Sequence, residues 1–147
     1  MAEEIERAGG TVEKFAGDAV MAAFGAPSAL EDHAERALHV ALAMQRRLAE
    51  LFDGQLELRV GVNTGDVVVG QARAGSSFVS GDAVNVAAQL EQAADPGAIV
   101  VGERTVAAAR GAFEFERPAT VDAKGQTGRR YRAKARARAL ADAAARG

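Results

Sequence analysis

Apolar and polar positions change their period several times along this chain, and each change marks an element. Residues 2–8 have the spacing of a short helix that stops at Gly9-Gly10. Thr11-Val12-Glu13-Lys14-Phe15 alternates, Gly17-Asp18 is a hairpin-type dipeptide, and Ala19 to Phe24 is an apolar return, so a first hairpin is expected. Ala26-Pro27-Ser28 interrupts the pattern, and Ser28 with Glu31 is the expected capping box of a long helix. That helix runs to about Phe52, because Ala34, Leu38, Ala41, Leu42, Leu48 and Phe52 fall on one face. Asp53-Gly54 stops it.

Residues 56–60 alternate as a strand, Asn63-Thr64-Gly65-Asp66 turns, and Val67-Val68-Val69 is β-branched, which predicts a second hairpin. A Gly/Ser loop leads to Phe78-Val79. Gly81-Asp82 opens a helix to about Ala94, and Pro96-Gly97 turns into a short strand at residues 98–101. Glu103 to Arg110 is a short helix, and residues 113–115 and 130–135 are final strands. The order of elements predicts an α+β sandwich, one largely antiparallel sheet with helices packed on one face. No internal repeat and no long linker divides it.

Composition narrows the class. The 147 residues suit one domain or part of a larger one, and 48% hydrophobic against 26% charged residues supports a real core. There is no cysteine, which excludes a disulfide scaffold, a thiolate metal site and a cysteine nucleophile. No apolar run approaches the ~20 residues of a membrane span. The acidic, amphipathic start is unlike a secretory signal, so a cytoplasmic protein is expected. The formal net charge of −2 is unevenly spread: from Arg129 onward seven basic residues face one acidic residue, Asp142, whereas residues 1–128 carry 19 acidic against 11 basic residues. An acidic body disfavours nucleic acid as a partner.

Individually, the polar residues that stand out are weak signals. Asp18 occupies a hairpin tip, where Gly-Asp is common for backbone reasons. Lys14 is one of only three lysines. Asn85 lies among Val84, Val86, Ala87 and Ala88, where an amide needs a partner, either in the core or on a ligand. His33 and His39 have no third partner at metal spacing. No phosphate-cradling glycine loop and no nucleophile elbow is present.

Together they form a pattern. Residues 9–25, with Glu13-Lys14-Phe15-Ala16-Gly17-Asp18 at their centre, resemble the second-strand hairpin of class III nucleotide cyclases, the adenylate/guanylate cyclase catalytic domain. Residues 59–70 resemble the family's next hairpin, residues 81–91 its substrate-side helix, and residues 121–125 its late Lys-Gly turn. The resemblance runs in order from about residue 9 to residue 132. It implies a ferredoxin-like α+β sandwich and a domain at residues 1–132, followed by a basic Ala/Arg-rich tail at 133–147.

The resemblance also implies a chemistry. Cyclases of this family join the ribose 3′-hydroxyl of ATP or GTP to its α-phosphorus and expel pyrophosphate, with two divalent cations, Mg²⁺ or Mn²⁺, offsetting charge. Asp18 matches a metal-binding aspartate, since hard cations take carboxylate oxygens. Lys14 and Phe78 match purine-contacting positions, Asn85 the amide that orients the ribose, Gln89 the transition-state position, and Lys124 a cation on the triphosphate. The family's sites lie between two subunits, so a homodimer or a heterodimer with another cyclase domain is implied.

Three departures qualify this expectation. The family's first strand, with its second metal aspartate, has no counterpart among these 147 residues. Gln89 stands where the family carries arginine, and Phe78 where it often has a residue that accepts from the purine amino group. ATP is preferred over GTP as the expected substrate. A catalytically degenerate cyclase-homology domain that dimerises or regulates is the alternative. A small α+β domain binding nucleic acid through its basic tail is the third reading.

Overall fold

The structure, a computed structural model, describes residues 2–16, 19–26, 31–73, 76–116 and 130–135, with side chains at 14–16, 71–73, 76–78 and 130–135 outside the description. In chain order the elements are α1 (Ala2–Arg7), β1 (Gly10–Ala16), β2 (Ala19–Phe24), α2 (His33–Phe52), β3 (Val60–Val62), β4 (Val68–Arg73), β5 (Ser76–Ser80), α3 (Asp82–Ala93), β6 (Ile99–Gly102), α4 (Glu103–Ala109), β7 (Phe113–Glu116) and β8 (Arg130–Ala135). The main sheet has the order β3-β6-β8-β7, and β1-β2 and β4-β5 each form a two-stranded ribbon.

Strand β6 organises the core because every one of its residues is buried. Successive side chains of a strand face opposite sides, so such a strand must be covered on both. Ile99 and Val101 join Ala34, Leu38 and Ala41 of α2, Val106 and Ala109 of α4, and Phe113 of β7 in one cluster. Ala98 and Val100 join Leu90 and Ala94 in a second. Helix α3 therefore covers the face opposite α2 and α4, where one helical layer was expected. The uninterrupted apolar run Ala98-Ile99-Val100-Val101 carries the physical reason.

The apolar stripe of α2 holds in its first half, with Ala34, Leu38 and Ala41 buried together with Val40, whereas Phe52 at its far end is exposed. Its start differs. The helix begins at His33, and Asp32 at the N-cap position makes no capping bond. Its Oδ1 instead accepts from Arg36 Nε at 2.7 Å. Glu31 lies before the helix and Ser28 lies outside the described residues, so the expected capping box is not at the helix start. The end is as expected: Asp53 takes a left-handed conformation (φ 54°), and its N–H and that of Gly54 both reach the Ala49 carbonyl.

The second hairpin is built differently from the alternation. Only Val60–Val62 is a strand, and it runs parallel to β6 with Val60 opposite Ile99. Leu56 is exposed, and the Leu58 carbonyl accepts from Gln45 Nε2 at 3.2 Å, so residues 56–59 spend no backbone on a ladder. Strand β4 pairs antiparallel with β5, Gly70 opposite Phe78. Segment 63–66 is held away from a hairpin by its side chains. Asn63 Nδ2 donates to the Ala83 carbonyl at 3.1 Å, and the Thr64 and Thr105 hydroxyls bond at 2.8 Å.

The first hairpin is as expected, with Thr11 opposite Ala23 and Ala16 opposite Ala19. A register shift between Val12 and Lys14 puts Glu13 in a bulge. Strands β7 and β8 pair antiparallel, Phe113 opposite Ala135. Among the described residues no helix is long and apolar enough to cross a membrane.

Candidate functional site

Helix α3 is where the polar residues singled out by the sequence find a defined position. Its inner face rests on the main sheet. Gly61 of β3 lies so close to it that a Cβ there would collide with the Ala87 carbonyl oxygen and the Glu91 nitrogen. One turn earlier, Asn63 bonds the Ala83 carbonyl. Ala83, Ala87 and Glu91 recur every four residues and so share a face. Asn85 and Gln89 share another, about 200° away at ~100° per residue. Asn85 is exposed, whereas Gln89 is half-buried and engaged with a neighbour.

Two more positions lie on β1 and on β5, of which β5 adjoins α3. Lys14 follows the β1 bulge and sits opposite Met21, and Phe78 sits in β5 opposite Gly70. Strand β5 lies against both β1 and α3, so the three elements form one continuous chain of neighbours. The side chains of Lys14 and Phe78, and the whole of Asp18 and Lys124, lie outside the described residues. Among the described residues no three His, Cys, Asp or Glu side chains converge, so those residues make no metal site by themselves.

Comparison with known proteins settles the family. The family model for the adenylate and guanylate cyclase catalytic domain matches residues 5–135. The chain belongs to this family. Adenylate cyclase 1 of Rhizobium meliloti is 35% identical over 130 residues, covering 80% of this chain and 20% of that protein. The crystal structure of the adenylyl cyclase CyaB from P. aeruginosa superposes with a TM-score of 0.80 at 27% identity, over 94% of this chain and 78% of that one. The guanylate cyclase domain of RhGC from Catenaria anguillulae, solved in complex with GTP, gives 0.77 at 26% identity, over 91% and 77%. The cyclase domain thus has the expected ferredoxin-like α+β sandwich. This chain spans about a fifth of the length of the curated relatives it matches.

The cyclase domain also contains polar groups that the sequence pattern did not single out. Both carboxylate oxygens of Glu13 are shielded from solvent and have no hydrogen-bond partner. Burial pushes this carboxyl above its ordinary range. A signal existed: Glu13 and Lys14 are adjacent, and two successive charges cannot both point to the wet side of a regular strand. The bulge turns that conflict into a buried carboxyl. Asn63 and Thr64 read as turn residues, yet they tie the end of β3 to α3 and to the fully buried Thr105 of α4.

Proposed function

We infer that this chain is the catalytic domain of a nucleotide cyclase and supplies half of a site completed by a second cyclase domain. The substrate is a nucleoside triphosphate, ATP in preference to GTP, and the product a cyclic nucleotide for intracellular signalling. The ribose 3′-oxygen bonds to the α-phosphorus, the bond to pyrophosphate breaks, and the 3′-hydroxyl proton is lost. The observation that carries this reading is α3: glued to the sheet by one face, it presents Asn85 from another, in the segment that resembles the family's substrate-side helix. An exposed amide encloses a ribose only against another surface, which supports a homodimer or heterodimer.

In this reading Asn85 orients the ribose, Lys14 and Phe78 contact the purine, and Lys124 meets the triphosphate. Asp18 offers one carboxylate to Mg²⁺ or Mn²⁺, which would offset phosphate charge when bound. The remaining ligands are not among the residues assigned here.

Gln89 favours a second reading, a dimerising or regulatory module without turnover. A charged donor placed at developing charge is worth roughly 10²–10³ in rate, and glutamine brings no charge. One experiment separates the two. In the full-length protein, Asp18→Ala is expected to abolish Mn²⁺-dependent formation of cyclic AMP, and Gln89→Arg to raise it roughly tenfold or more. Unchanged turnover in Asp18→Ala overturns the metal assignment. No product from either the parent protein or Gln89→Arg establishes the regulatory module instead.

A further inference from the structure

Among the described residues, helix α3 packs on the face of the sheet opposite α2 and α4. Its cluster is also the smaller one, four buried residues with Val86 packed beside them. Apolar packing by itself is non-directional and tolerates sliding along a smooth sheet. Two contacts at the end of β3 are directional. At Gly61 the absence of a side chain lets the helix backbone settle onto the strand, and the close approach to Ala87 and Glu91 sets how far in it sits. At Asn63 the side-chain amide donates to the Ala83 carbonyl in the first turn of α3, which sets its height along the sheet.

The Asn63 amide is itself held. A Cβ at Gly102 would run into its Oδ1, so the lack of a side chain at the start of α4 makes room for the amide. The neighbouring Thr64–Thr105 hydroxyl pair fixes the backbone beside it. Asn63 therefore lies between the end of β6 and the first turn of α3. Any shift of α3 against this seat is carried to the opposite face, where Asn85 and Gln89 stand one turn apart.

We propose that Asn63 is a positioning residue for the nucleotide site: its amide locks α3 in the register that presents Asn85 and Gln89. This rests on the cyclase reading for its functional consequence, but the lock is a property of the fold. Asn63→Asp is the informative substitution. It keeps the shape, yet an ionised carboxylate repels the Ala83 carbonyl, while a protonated one donates to it as the amide does.

The experiment uses the full-length protein with Asn63→Asp and Asn63→Ala, and two readouts. Backbone hydrogen exchange at pH 7 is expected to lose about five- to tenfold protection in α3, with α2 unchanged, in both variants. Turnover of Mn²⁺·ATP is expected to fall about tenfold or more in kcat with a smaller change in KM, because misplacement affects alignment more than capture. Lowering the pH below about 4, where an ordinary aspartate takes up its proton, restores α3 protection in Asn63→Asp but not in Asn63→Ala. Equal loss in α2 and α3, or an identical pH response of the two variants, overturns the lock. If the parent protein makes no cyclic nucleotide, the cyclase reading fails while the exchange result still decides the lock.

Discussion

Glu13 shows how a single residue carries conflicting demands. It stands in a bulge of β1, next to the position that resembles the family's purine-contacting lysine, and its carboxylate oxygens are buried without a partner. Burial disfavours the charged form and raises the folded-state titration above the ordinary 4.5. The folded chain then holds a proton that the unfolded chain has already released. Stability from this group is therefore complete below the unfolded value and is lost as pH rises through the folded one. Glu13→Gln is expected to raise Tm slightly at pH 7, since a neutral amide avoids the desolvation of an ionised carboxylate. The advantage should fade below about pH 4. A Tm gap independent of pH would contradict the burial account. The sequence carried a hint here, two adjacent charges in an alternating strand, but not which of them the bulge turns inward.

At the scale of elements, pattern reading was strongest where one face is buried. The first half of helix α2 follows its stripe because Leu38 and its neighbours meet Ile99, Val101 and Phe113, while Phe52 beyond that contact is exposed. Leu38 is fully buried at the centre of that contact. Leu38→Ala is expected to cost about 2–5 kcal/mol, read as a shift of the urea midpoint without a change of slope. A loss under 1 kcal/mol would mean that the α2 layer is looser than described. Reading failed where side chains, not periodicity, decide the backbone. Residues 56–59 alternate, yet Gln45 takes the Leu58 carbonyl, and strand pairing begins only at Val60. Likewise Asn63 and Thr64 look like the turn of a hairpin, but their bonds to Ala83 and Thr105 send the chain away from one. Such long-range partners leave no local period. The double-sided burial of β6 has a trace in its unbroken apolar run, but the sequence pattern was read as one helical layer, and the place of α3 on the far side of the sheet emerged only from the packing.

For the whole molecule, three of the four blocks that resemble a class III cyclase, residues 9–25, 59–70 and 81–91, have described residues in one fold and in the expected order, residues 121–125 lie outside the described residues, and the family match spans residues 5–135. The position of Asn85 and Gln89 on one helix was legible from their spacing of four. Their distance from the sheet was not, because it depends on the absence of a side chain at Gly61. Lys14 and Phe78 fall on strands that adjoin one another through β5, which contiguity along the chain does not reveal. The central claim is that this fold forms half of a nucleotide-cyclising site. It is tested most directly by incubating the chain, and a form extended by any in-frame upstream residues that the gene encodes, with Mn²⁺ and ATP or GTP, and analysing the products by mass spectrometry. The account predicts cyclic AMP from the extended form, less product or none with GTP, and none from the 147-residue chain alone. No cyclic nucleotide from an extended form that is folded and dimeric would contradict it.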